Sequence, residues 1–235
     1  MAVRRQIVAL GGGGFSQEPD NLALDRYVLA ATGLERPRVA FVPTASGDAD
    51  GYVERFYTAF RTLDCEPSHL GLFRREIADL RAFVLAQDAI YVGGGNTLNM
   101  LALWKLHGLD VIFREAYEQG VVLAGISAGA LCWFKEGTTD SLGPLTDIQC
   151  LGFIPHSLSV HHDAEPDRRP RFSRRIGEGA MAPGWGVDEG AALHMVDGAL
   201  LRVLTSRPES AAYWVERRGD AAHETRLPVS YQGAS

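Results

Sequence analysis

Short apolar runs recur along the first half of the chain, each stopped by glycines or polar turn residues and followed by helical spacing. Residues 6–10 (Gln-Ile-Val-Ala-Leu), 38–42 (Arg-Val-Ala-Phe-Val) and 89–92 (Ala-Ile-Tyr-Val) read as buried strands, and a further one begins at Val121. Helical patterns fall between them at residues 21–32, 53–63 and 111–118. Another follows residue 97, with Leu98, Leu101, Leu103 and Leu106 on a loosely helical period. A short strand is expected near residues 69–72. Strands alternating with helices predict a mostly parallel sheet covered on both faces. In such a sheet the loops after Leu10, Val42, Val92 and Ala124 face one crevice beyond the carboxyl ends of the strands.

Beyond residue 130 the pattern is less regular. Residues 137–148 are turn-rich, and residues 153–160 look extended, ending at His161-His162-Asp163. The stretch 164–179 is charged, with Arg168, Arg169, Arg171, Arg174 and Arg175 in close succession. Residues 184–187, 191–195, 200–204 and 212–215 read as closing strands, and residues 231–235 as a frayed end. There is no internal repeat and no low-complexity linker.

With 235 residues, one α/β domain over residues 1–235 accounts for the chain. The net charge of −6 argues against nucleic acid or an anionic membrane as partner. No stretch is long and apolar enough to span a bilayer, and the start runs directly into a strand-like segment, so the expected compartment is the cytoplasm. The 3 cysteines, Cys65, Cys132 and Cys150, are scattered without a metal-binding spacing and read as reduced core or near-core thiols.

The chemistry centres on residues 121–130, Val-Val-Leu-Ala-Gly-Ile-Ser-Ala-Gly-Ala. An apolar run, a serine between two glycines and small residues that open a helix form the Gly-x-Ser-x-Gly turn that lifts a serine hydroxyl out of a sheet. A serine needs a base, usually a histidine, and a third group to orient that base. His161 and His162 follow a strand and are placed for the first role. Asp140, Asp147, Asp163, Asp188 and Glu189 are open candidates for the second. The amide after the serine, Ala128, and a second one from the Gly93–Gly95 loop suit an oxyanion. The Gly11–Gly14 run hints at a phosphate cradle, but residues 15–19 intervene before a helix and the dinucleotide spacing is not met.

The ordered set Val92-Gly-Gly-Gly-Asn-Thr97, Gly125-Ile-Ser-Ala-Gly-Ala130, a histidine some thirty residues on, and Gly186-Val-Asp-Glu-Gly190 resembles the peptidase E (aspartyl dipeptidase) family, to which cyanophycinases are related. The resemblance runs from the first strand to about Val203. It implies a three-layer α/β sandwich similar to class I glutamine amidotransferases, and a Ser-His-Glu arrangement carried onto Ser127, His161 and Glu189. Gly95 and Ala128 match the oxyanion donors. Asn96, Asp140 and His162 fall at positions around the pocket. Family dipeptidases remove an N-terminal aspartate, which needs a cation, and Arg168, Arg169 and Arg171 lie in the matching region.

The resemblance therefore implies a serine dipeptidase acting on small peptides with an N-terminal Asp, with no metal and no organic cofactor. A cyanophycinase-like or other β-aspartyl or amide hydrolase is the alternative within the class, and a non-catalytic ligand-binding module is the alternative outside it. A small peptide is the expected partner, and the protein is expected to be a monomer or homodimer.

Overall fold

The computed structural model describes residues 3–233. In chain order its first half contains β1 (Gln6–Leu10), α1 (Gly14–Gln17), α2 (Ala23–Ala30), β2 (Arg38–Val42), α3 (Asp50–Phe60), β3 (Glu66–His69), α4 (Leu80–Leu85), β4 (Ala89–Val92), α5 (Thr97–His107), α6 (Leu109–Glu118) and β5 (Val122–Ile126). The second half contains α7 (Ala128–Leu131), β6 (Phe134–Thr139), β7 (Thr146–Gln149), β8 (Ile154–Ser159), α8 (Arg168–Gly177), β9 (Gly184–Val187), β10 (Ala191–Val196), β11 (Ala199–Thr205), β12 (Ala212–Arg218), β13 (Ala221–Arg226) and β14 (Val229–Tyr231).

The larger sheet has eight strands in the order β14-β11-β10-β1-β5-β4-β2-β3. The block β1, β5, β4, β2 and β3 is parallel throughout, and β10 closes against β1 in the antiparallel sense. Strand side chains alternate faces, and that alternation divides the core in two. Val8, Leu10, Phe41, Tyr91, Ala124 and Ile126 pack with α1, α2 and α3 on one face. Ile7, Ala9, Ala40, Val42, Ile90 and Leu123 pack on the other with Trp104 of α5, Phe113 of α6 and Trp133. The fold is thus an α/β sandwich around a mostly parallel sheet. In α3 the buried positions Tyr52, Phe56, Ala59 and Phe60 form the single apolar stripe that a surface helix presents to a core.

A second sheet, six strands in the order β13-β12-β9-β8-β6-β7, supplies Leu158, Trp185, Val187 and Ala212 to the core containing Trp104. Residues 137–148, expected to be turns, carry the end of β6 and most of β7. The charged stretch 164–179 holds α8, whose buried residues Arg168, Phe172 and Ile176 recur at helical spacing. The strand expected near residues 69–72 lies slightly earlier, at β3. Of the end expected to fray, Tyr231 belongs to β14 and the Gln232 amide donates to the Thr205 carbonyl at 2.9 Å. Residues 234 and 235 of that segment lie outside the described residues.

Among the described residues no helix is long and apolar enough to cross a membrane, and no group of three or more His, Cys, Asp or Glu side chains is arranged to hold a metal ion. The three cysteines are free; burial pushes the Cys65 thiol up to about 11 and that of Cys132 well above the usual range.

Candidate active site

Strand β5 runs into α7 through Ser127, which has φ 56 and ψ −114. That conformation is foreign to L-residues, and it is held from both sides. The Ser127 amide donates to the Leu10 carbonyl of β1 at 3.1 Å, and the Ser127 carbonyl accepts from the Ala130 and Leu131 amides at 2.9 Å each. Gly129 lets α7 sit on the sheet, since a Cβ there would lie 2.2 Å from the Val92 carbonyl oxygen.

His161, just past β8, also has positive φ, 49, and its amide donates to the Gly11 carbonyl at 3.0 Å. Its ring spans two partners: Nε2 lies 2.9 Å from Ser127 Oγ and Nδ1 lies 3.0 Å from Glu189 Oε1. Glu189 sits in the tight link from β9 to β10. Its amide donates to Asp163 Oδ1 at 2.9 Å, and its carbonyl accepts from the Ser210 hydroxyl at 2.5 Å. The Gly11–Gly14 run has a use the sequence did not reveal. It passes so close beneath this pair that a Cβ on Gly12 would meet Glu189 Cγ at 2.8 Å and His161 Nδ1 at 3.1 Å.

The structure also sorts the other carboxylates considered as partners of the histidine. Asp163 caps the Glu189 backbone. Asp188 accepts from the Ala211 amide at 3.0 Å, and burial, reinforced by the neighbouring Asp163, pushes its carboxyl up to about 6. Asp147 binds Arg171 and Arg175 at 2.8 and 2.7 Å. Asp140 lies 3.5 Å from Arg168 Nη2. Of these side chains, Glu189 is the one that meets the histidine.

The Gly93–Gly95 loop crosses the Ser127 turn: a Cβ built on Gly94 would lie 3.3 Å from Ser127 Cβ. The Gly94 amide donates to the Tyr52 hydroxyl at 3.2 Å, and the Asn96 amide to the Ala45 carbonyl at 2.7 Å. Among the described residues, neither the Gly95 nor the Ala128 amide donates to a protein acceptor.

Of the expected pocket residues, Asn96 is committed to structure. Its Oδ1 caps α5 by accepting from the Asn99 amide at 2.9 Å, and its Nδ2 donates to the Ser141 carbonyl at 3.0 Å. His162 is not brought to Ser127. It follows His161 with its side chain turned the other way, fully buried against Phe172 and Tyr213, with Nδ1 3.1 Å from Ser159 Oγ and Nε2 3.2 Å from Glu224 Oε2.

Each candidate arginine has an acidic partner. Arg171 shares Asp147 with Arg175. Arg169 binds Glu224 and stacks 4.5 Å from the Tyr213 ring centroid. Arg168 is buried, with Nε and Nη2 on the two oxygens of Glu165 at 2.5 and 3.2 Å and Nη1 on the Thr138 carbonyl at 3.1 Å. The Glu165 amide donates to the His161 carbonyl at 3.2 Å, which ties Arg168 to the histidine turn.

Sequence reasoning missed Tyr52, Gln17 and Arg207, the last two of which approach Glu189 directly. Nothing in their local sequence marks them, because each reaches the site from a distant element.

The chain is similar to known peptidases in sequence and in fold. The chain is 53% identical over 229 residues to the Uncharacterized peptidase YgaJ of Bacillus subtilis, covering 97% of this chain and 100% of that protein. Peptidase E of Shewanella amazonensis is 30% identical over 168 residues, covering 66% of this chain and 69% of the relative. The crystal structure of a peptidase from an acI-B1 Actinobacterium shares the fold with a TM-score of 0.71 at 18% identity, covering 96% of this chain and 94% of that one. The model of Peptidase family S51 matches residues 7–203, and the chain belongs to that family of serine-type peptidases.

Proposed function

We propose that this chain hydrolyses small peptides through an acyl-enzyme formed on Ser127. The observation that carries the reading is the continuous hydrogen-bonded line from Ser127 Oγ through His161 to Glu189, at 2.9 and 3.0 Å. With its proton on Nδ1, facing Glu189, the imidazole presents a free Nε2 lone pair to the serine hydroxyl. Nε2 takes the proton as Oγ attacks the peptide carbonyl, and Glu189 stabilises the imidazolium that forms. The Gly95 and Ala128 amides receive the oxyanion. As the tetrahedral species collapses, His161 protonates the leaving amine; water then attacks the ester by the same route and releases the acid.

For the substrate we infer an N-terminal aspartyl peptide, read by Arg168. Its Nη2 faces Asp140 at 3.5 Å, and the Asp140 side chain is 61% exposed. A substrate carboxylate can take that position, while the paired oxygens of Glu165 keep the guanidinium oriented. The full set of carboxylate partners around the arginines favours a second reading, in which the enzyme accepts small peptides or β-linked aspartyl amides without demanding an α-aspartate.

Hydrolysis of α-Asp-Leu, Ala-Leu and a β-linked Asp-Arg by wild type and Ser127→Ala separates these readings. Cleavage of Asp-Leu alone, reduced about 10⁴-fold or more in the variant, supports the aspartyl dipeptidase. Comparable cleavage of Ala-Leu, or cleavage of the β-linked substrate, replaces it with the second reading. Wild-type rates retained by Ser127→Ala remove the mechanism.

A further inference from the structure

The carboxylate of Glu189 is held by more than His161. Its Oε1 accepts from His161 and also from Gln17 Nε2 of α1 at 3.3 Å, and its Oε2 faces Arg207 Nη1 at 3.7 Å. Arg207 is itself anchored, with Nε donating to Glu18 Oε1 at 2.6 Å, and Glu18 Oε2 accepts from the Ser206 hydroxyl at 2.7 Å. Ser206, Arg207 and Ser210 all lie in the link from β11 to β12, past residue 203, where the family match ends. That link therefore holds the Glu189 end of the site from outside the span matched by the family model.

We propose that Arg207 is a positioning residue for the hydrolytic reaction, acting through Glu189 to set the pH above which His161 can take the Ser127 proton. The inference rests on the Ser127-His161-Glu189 reading of the site. A carboxylate beside Nδ1 favours the doubly protonated imidazole. A guanidinium on the other oxygen of that carboxylate opposes a second positive charge and so favours the neutral imidazole, the form that accepts the proton. Glu18 works against Arg207 by sharing its charge, and Asp163 and Asp188 add negative charge from the His161 and Glu189 turns. Gln17 holds the Oε1 side by a neutral hydrogen bond, so Arg207 is the cation that meets Glu189. Its side chain is 32% exposed and that of Glu18 11%, which limits solvent screening of the arrangement.

The test is the pH dependence of Ser127 labelling by a fluorophosphonate probe, measured for wild type, Arg207→Gln, Arg207→Lys, Glu18→Gln and Ser127→Ala. Arg207→Gln is expected to move the acid limb to higher pH by ~0.5 pH unit, about threefold slower labelling at a fixed pH on that limb. Arg207→Lys, which keeps the charge, stays closer to wild type than Arg207→Gln does. Glu18→Gln moves the limb to lower pH. A merely structural role for Arg207 lowers the melting temperature or the plateau rate and leaves the limb in place, and that result overturns the inference. If wild type does not label, or Ser127→Ala labels as fast, the proposed function itself fails and the inference goes with it.

Discussion

Ser127 stores backbone strain, and its size can be measured by comparing two variants that lack the hydroxyl. At φ 56 and ψ −114 a residue with a Cβ sits outside the allowed regions, at a cost of about 1–3 kcal/mol. Ser127→Ala removes the hydroxyl and keeps the Cβ, so the strain stays. Ser127→Gly removes the hydroxyl and the strain together. Glycine costs ~0.5–1 kcal/mol more conformational entropy than alanine on folding. The difference leaves Ser127→Gly more stable than Ser127→Ala by about 1 kcal/mol, the reverse of the usual order. The hydrogen bond from the Ser127 amide to the Leu10 carbonyl and the two hydrogen bonds accepted by the Ser127 carbonyl are common to both variants and cancel. For a chain of this size the gap corresponds to roughly 2–4 °C in melting temperature. Urea unfolding of both proteins at one pH, with equal m-values required, gives the free-energy difference directly. If Ser127→Gly proves less stable than Ser127→Ala by the ~0.5–1 kcal/mol that glycine ordinarily costs, the turn carries no strain and the reasoning fails.

Two further outcomes follow from the groups beneath the site. Burial pushes the Asp25 carboxyl up from 3.8 to about 7, so the native state keeps its proton while the unfolded chain has lost it, and wild-type stability falls as pH rises through that window. At about 1.4 kcal/mol per pH unit, the separation between 3.8 and about 7 amounts to about 4 kcal/mol, which Asp25→Asn recovers; a stability difference between the two proteins that stays constant from pH 5 to pH 8 refutes this. Tyr52→Phe strips the Gly94 amide of its partner, at a cost of about 1–3 kcal/mol, and loosens the loop carrying Gly95. It should lower kcat more than it raises KM, and an unchanged kcat would show that the loop is held by other means.

The parts legible in the sequence were those specified by local physics. An apolar run between glycines announces a buried strand, and two glycines around a serine announce the turn, because only small residues allow α7 to rest on β4. Order along the chain was also readable, and the resemblance to the peptidase E family carried Ser127, His161 and Glu189 one by one, where local pattern alone left His161 and His162, and Glu189 and its acidic neighbours, open. Helix α8 was obscured because its buried stripe includes Arg168 beside Phe172 and Ile176, and an arginine buried through pairing looks solvated in sequence. The Gly11–Gly14 run resembled a phosphate cradle because a loop that must pass close to a ligand and one that must pass close to His161 need the same residue. The orientation of His162 was invisible because it depends on Ser159 and on Glu224 of β13, a strand whose alternation of small and charged residues carried little pattern.

On the proposed reading, the arginines' pairing partners decide substrate choice. Three closely spaced arginines suggested a cationic pocket, but the chain supplies each with a carboxylate, so on that reading selectivity depends on which partner a substrate can replace. Glu224 is tied to both His162 and Arg169, and Asp147 to both Arg171 and Arg175, so displacing either carboxylate breaks a second contact as well. Glu165 meets Arg168 through both oxygens and is anchored by its amide to His161. Asp140 alone among these partners makes a single long contact, with most of its side chain in water. An ion pair of that kind contributes about 0–1 kcal/mol, so exchanging it for a substrate carboxylate costs little. The buried guanidinium behind it stays aligned by Glu165 and the Thr138 carbonyl throughout. On the proposed reading, the exposed acid at 140 occupies the outer side of Arg168 Nη2 between turnovers and yields its place when an aspartyl side chain arrives.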